Sequence, residues 1–271
     1  MKFDVERPVE YNTIKVDDEV IKVAEPKLCD VPSAYAHVAK QRGRLPSLGE
    51  AILIRYALFK KDQQDGKGVA RSNEYMRPST TTLSFKNDGS FDIDAPYLSA
   101  FTELPTGNQT KELVKAGHTA HGKGKELIVP IKDTFICDLI AKAKAEGRVA
   151  PAQIANPLEL ATKKDNEKSA YGQDRTPIAM FGNAKLAELN ASYLNKRNYN
   201  FGKVWNFTQQ KLKGLLKGKE DHAVVRPVGL GGVIYVNISS VYAYGGFSVS
   251  SWAWPIVHVG AQKISTGKVG S

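Results

Sequence analysis

Apolar positions recur along this chain with two different periods, and the alternation between them predicts an α+β protein. Residues 9–24 read as strand, turn, strand: EYNTIKV and EVIKVAE alternate on either side of Asp17-Asp18, a hairpin pattern. A helical region follows, over SAYAHVAKQ and then SLGEAILIRYALFKK. In the second piece Ser47 stands where a cap is needed, Glu50 follows three residues later, and Leu48, Ile52, Tyr56 and Phe59 recur at helical spacing. Residues 62–79 are polar and glycine-bearing, a loop signature. TTTLSFK and SFDID then flank Asn87-Asp88-Gly89 as a second predicted hairpin.

GNQTKELVKAGHTAHGKGK reads as a loop with at most a short helix, leading into the strand ELIVPI. Residues 133–146 have helical periodicity, with Asp133 placed to cap and Gly147 placed to stop them. Two more helices are predicted, over NAKLAELNASYLNK and FGKVWNFTQQKLKGLLK. From His222 to Gln262 the pattern changes to strands, AVVRPV, GVIYVNIS, VYAYGGFSVS and WPIVHVG, with Arg226 as the one formal charge. The expected architecture is an antiparallel or mixed sheet built from both chain ends, with helices packed on it and long basic loops. A single domain over 1–271 is expected. Residues 163–176, charged and almost free of aliphatic side chains, are the one candidate linker, which would separate a mixed part at 1–165 from a helical and β part at 176–271.

Composition narrows the function classes. No stretch approaches the roughly 20 apolar residues that span a bilayer, and the charged, alternating N-terminus lacks the apolar run of a secretory signal. A cytoplasmic location is expected. Cys29 and Cys137 form no C-x-x-C pattern, which argues against a disulfide framework or a cysteine-rich zinc site. Lysine and arginine number 38 against 28 acidic residues, a net charge of +10 that favours a polyanionic partner.

That excess is concentrated. Residues 185–219 hold eight basic side chains and one acid, Glu188, whereas residues 1–184 hold 27 and 25. A helix starting at Phe201 would bury Phe201, Val204, Trp205, Thr208, Leu212, Leu215 and Leu216 and turn Lys203, Lys211, Lys213 and Lys217 outward, beside Lys196 and Arg197. Lysines so placed neutralise phosphates without reading sequence, and Tyr193, Tyr199 and Phe207 offer rings on which unpaired bases stack. The same pattern fits a solvated face of a core helix or a membrane-surface helix. A second basic zone contains Arg42, Arg44, Lys67, Arg71, Tyr75 and Arg77, part of it in a glycine-bearing segment suited to a nucleic-acid backbone. A third, Lys111, Lys115, Lys123 and Lys125, is an expected anion-contacting loop.

Catalytic patterns are weak. Gly117–Gly124 approaches a phosphate-binding loop, but Gly124 occupies the Ser/Thr position and a strand follows where a helix should. His118 and His121 lack the companions of a metal site, Asp92 and Asp94 fit a solvated hairpin face, and His258 sits in an apolar strand. No catalytic residue, metal or cofactor is assigned. The expected function is sequence-independent nucleic-acid binding, of single strands of DNA or RNA, by a protein that forms multimers along its ligand. Phage-type single-strand binders and backbone subunits of CRISPR effector complexes are proteins of this general kind. The uncharged C-terminal tract, with Tyr242, Tyr244, Trp252 and Trp254, is expected to form either the core sheet or a homo-oligomer contact. The alternative is a self-assembling shell, tube or filament protein, and an enzyme acting on nucleic acid is the third class.

Overall fold

The computed structural model describes residues 3–6, 12–16, 19–66, 76–153, 158–160, 168–231, 238–242, 247 and 251–257. In chain order the elements are β1 (Phe3–Glu6), β2 (Asn12–Val16), β3 (Glu19–Val23), β4 (Lys27–Cys29), α1 (Val31–Lys40), β5 (Gly43–Arg44), α2 (Leu48–Gln64), β6 (Thr80–Lys86), β7 (Tyr97–Glu103), α3 (Asn108–Gly122), β8 (Leu127–Pro130) and α4 (Thr134–Ala145). There follow β9 (Val149–Pro151), β10 (Leu158–Glu159), α5 (Ala170–Gln173), α6 (Arg175–Phe181), α7 (Ala184–Lys196), β11 (Phe201–Trp205), α8 (Gln209–Leu215), β12 (His222–Pro227), β13 (Gly229–Leu230), β14 (Ile238–Tyr242), β15 (Ser251–Ala253) and β16 (Ile256–Val257).

The fold is α+β. Its central sheet is fully antiparallel, in the order β8-β12-β6-β7-β9. Along β12 the side chains alternate between faces. Ala223 and Val225 meet a core lined by α1, α3 and α4, whereas Val224 meets Phe207, Leu212 and Leu216 of the α8 region. A second sheet, β10-β11-β14-β13, is mixed, because β11 and β14 run parallel. The third, β1-β2-β3-β16-β5, joins both chain ends and contains the hairpin expected over 9–24. The largest core is built around α2, α6 and α7. Apolar residues of α2 are buried on every side from Leu48 to Phe59, as in a helix enclosed by its neighbours. Its start is the expected capping box: Ser47 accepts from the Glu50 amide, and Glu50 accepts from the Ser47 amide at 2.7 Å.

Several expectations fail for physical reasons that the structure makes plain. Residues 108–122 form a helix of 15 residues, not a loop, so Lys111 and Lys115 stand on a rigid element. Gly117 is there because its helix passes against Phe247; a Cβ at that position would lie 2.5 Å from the ring. Residues 91–95 form no strand. Asn87 donates to the carbonyls of Ile93 and Ala95 and holds the segment as a loop, and β6 pairs with β7 instead.

Residues 201–205 form a strand where a helix was expected. Gly202 passes so close to Tyr171 that a Cβ would lie 2.6 Å from its ring, and the ladder to β14 supplies the backbone partners. The helix begins only after Thr208, whose hydroxyl caps the Lys211 amide. Residues 169–176 of the candidate linker build α5 and the cap of α6; Ser169 is buried and bonded to Glu188.

The two kinds of glycine give opposite expectations. Gly117→Ala should destabilise by about 1–3 kcal/mol, because overpacking against Phe247 outweighs the helix gain. Gly214→Ala, with open space around its position in α8, should stabilise by up to about 1 kcal/mol. Denaturant midpoints of the two variants against the parent check both signs.

Candidate nucleic-acid interface

The apolar side of α8 is pinned to the central sheet by Leu212 and Leu216, which are fully buried, and by half-buried Leu215. The opposite side carries Lys211, Lys213 and, at the helix exit, Lys217 and Lys219, all exposed. Lys211 lies with its ammonium 5.4 Å from the Phe207 ring centroid, which fixes its stem over the surface. Among the described residues none of these four lysines is ion-paired. The division expected for a helix from Phe201 is therefore present, on a helix that starts eight residues later. Lys203 instead falls on β11, and its side chain lies outside the described residues.

A second group forms where α2 and α7 pack. Lys196 donates to the Tyr56 hydroxyl at 2.6 Å and lies 5.1 Å from its ring, and Lys60 approaches the same ring at 5.9 Å. Arg197 donates to the Tyr193 hydroxyl at 3.2 Å. Residues from two separate basic zones of the sequence thus meet. Lys60 belongs to the second basic zone of the sequence, but no local pattern reveals the packing of α2 on α7 that brings it to Lys196. A third group lies along α3, where Lys111 and Lys115 occupy successive turns of the exposed face and Lys123 and Lys125 follow at its exit, all exposed.

Other expected contacts are buried or already paired within the chain. Arg77 is fully buried and donates to the Val228 carbonyl. Arg44 grips Glu50 through both guanidinium nitrogens, at 2.7 and 2.5 Å. Among the described residues of that cluster, Arg42 is exposed, with φ 51 at the end of α1. Lys67, Arg71 and Tyr75 lie outside the described residues, as does His258. Tyr193, Tyr199 and Phe207 are buried at 0, 9 and 3% exposure. They pack the core and present no face to a base.

Two clefts accompany these surfaces. One, of about 700 Å³, lies between α1, α4 and the start of α2 and includes Arg44, Glu50, Glu103 and Lys142. Two of its carboxylates are already held: Glu50 by Arg44, and Glu103, which accepts from Arg148 at 2.6 Å and from Thr80. Burial alone would push the Glu50 carboxyl up, but hydrogen bonds from Arg44 and Ser47 outweigh it and hold it below the ordinary glutamate range. The other cleft, of about 730 Å³, has an apolar floor including Phe85 and Ile140 and a rim of mixed charge. His118 lies 3.4 Å from the Asp30 carboxylate, Asp92 and Asp94 are exposed, and no metal-binding cluster occurs among the described residues. Nor is any described helix long and apolar enough to cross a membrane. Comparison with protein-family models, with curated proteins and with solved structures gave no match.

Because the folded pKa of Glu50 lies below its unfolded value, its stabilising contribution is complete above about pH 4.3 and is lost as pH falls through the folded value. Glu50→Gln should therefore be less stable than the parent at neutral pH, with the gap closing in acid. Urea titrations at a series of pH values read this directly.

Proposed function

We propose that the protein binds nucleic acid through the phosphate backbone, without reading sequence. The observation that carries this reading is the solvent face of α8 and its exit, where Lys211, Lys213, Lys217 and Lys219 project from a helix held rigidly against the central sheet. Exposed, unpaired ammonium groups release counterions when phosphates replace the surrounding salt, and fixing them on packed structure lowers the entropy lost on binding. Lys60, Lys196 and Arg197 at the α2–α7 junction, and Lys111, Lys115, Lys123 and Lys125 along α3, supply further positive surface.

The expected preference for single strands is proposed in a narrower form. With Tyr193, Tyr199 and Phe207 in the core, discrimination by base stacking has no support from these rings, and any preference must come from how the backbone fits the lysines. Multimer formation along the ligand belongs to the same proposal. The described parts of the uncharged C-terminal tract pair within the chain: β12 is interior to the central sheet, β14 to the mixed sheet and β16 to the third.

Fluorescence anisotropy with labelled oligonucleotides of unrelated sequence tests the reading. Affinity should be similar across sequences and fall steeply with salt, and Lys211→Ala/Lys213→Ala/Lys217→Ala should lower the slope of log K against log salt by about 2–3. Absence of binding at low salt, or binding indifferent to salt, would overturn it.

A further inference from the structure

The cleft of about 700 Å³ between α1, α4 and the start of α2 lies on the face of the central sheet opposite α8. One wall is a single stripe of α4: Phe135, Asp138, Leu139 and Lys142 stand at the spacing of one helix face. Val38, Leu45 and Leu104, themselves buried, join Leu139 as an apolar floor. The volume falls within the roughly 300–1,000 Å³ of small-molecule sites, which combine apolar walls with a few placed polar groups.

The charges at this cleft balance. Arg44, Lys142 and the buried Arg148 that holds Glu103 stand against Glu50, Glu103 and Asp138. A ligand with net charge would upset that balance, whereas a neutral or zwitterionic one preserves it. Three of the lining groups are not engaged. Among the described residues the Asp138 carboxylate has no ion pair or hydrogen bond, and the Tyr35 hydroxyl has no partner. The Lys142 ammonium stands 3.8 Å from Glu103 and 3.9 Å from Glu146, outside hydrogen-bond range. Burial pushes the Tyr35 phenol above its ordinary value, so it keeps its proton as a donor. Asp138 and Lys142 are one turn apart on α4, with Cβ atoms about 5–6 Å from each other, and they do not pair together. A molecule with an ammonium and a carboxylate on one carbon can bridge two such groups.

We propose that this cleft binds a free α-amino acid with a large apolar side chain. The ligand ammonium pairs with Asp138. Its carboxylate pairs with Lys142 and accepts from the Tyr35 hydroxyl, and its side chain lies against Phe135, Leu139 and the floor. A simple amine would leave Lys142 and Tyr35 unanswered, and a simple carboxylate would leave Asp138 unanswered. An amino acid with a small polar side chain would leave the floor wet. No residue of α8 takes part, so this site does not depend on nucleic-acid binding.

Isothermal titration calorimetry of the full-length, nuclease-treated protein with L-leucine and L-phenylalanine tests the site. Saturable binding at millimolar ligand or below is expected. Isopentylamine and isocaproate keep the leucine side chain with one charge each, and both should bind about tenfold more weakly or worse. Asp138→Asn and Lys142→Gln change exposed side chains, so circular dichroism should be unchanged while the affinity for leucine falls about tenfold in each. Absence of saturable binding by both amino acids, equal binding of the amine or the carboxylate, or an affinity that either substitution leaves unaltered would overturn the proposal. Because no nucleic acid is present, each of these results leaves the reading of α8 to its own test.

Discussion

Two guanidinium groups lie buried where the central sheet meets the mixed sheet. Arg55, from the middle of α2, donates to the carbonyls of Gly231 at 2.9 Å and Leu230 at 3.0 Å, and Arg77 donates to the Val228 carbonyl. Their exposures are 2 and 0%, and Arg55 also faces the Tyr193 ring at 5.8 Å. A buried cation is costly unless its donors find acceptors, and here carbonyls just after β12 and at the end of β13 accept from the terminal guanidinium nitrogens. The arrangement fixes the enclosed helix to the strand that leaves the central sheet. Met76 and Leu230 exchange backbone hydrogen bonds at 3.0 and 3.1 Å, closing the same junction. A comparable device secures α6: Arg148 joins Glu103 on β7 to the carbonyls of Ala179 and Met180.

This framework explains which charges remain for a ligand. Arginines in the centre of the chain are drawn into it: Arg55 and Arg77 to carbonyls, Arg44 to Glu50, Arg148 to Glu103, Arg226 to Glu126. Guanidinium groups suit this work, being permanently charged and able to make several directed bonds. The lysines along α3 and α8 remain at the surface. Net charge alone does not make this distinction, and a basic surface built from lysine suits diffuse phosphate contact better than directed recognition of bases.

Local signals recovered the elements whose stability is local. The Ser47–Glu50 capping box, the Asp133 cap with the Gly147 stop, and the alternation of the first hairpin were legible in the sequence and are present in the structure. What was not legible depends on distant partners. Gly117 reads as part of a loop and Gly202 as part of a helix, but each is a point of close approach, to Phe247 and Tyr171. Lys211, Lys213 and Lys217 were placed correctly at the surface because Leu212 and Leu216 share a helical period whatever the helix start. The aromatic residues beside them were misread as stacking groups, since only the tertiary fold shows that Tyr193 packs edge-on to Phe59 within the core. The bond from Lys196 to Tyr56, over whose ring Lys60 also lies, spans 140 residues of sequence and left no local trace.

Amine footprinting tests the proposed contact of nucleic acid with α8 most directly. Lysines are acylated with and without a bound oligonucleotide, and protection at each residue is read by mass spectrometry. The account predicts protection at Lys211, Lys213, Lys217 and Lys219, with Lys168, exposed outside the three basic groups, labelled equally in both states. Protection absent from α8 and its exit, or spread evenly over all surface lysines, would contradict it.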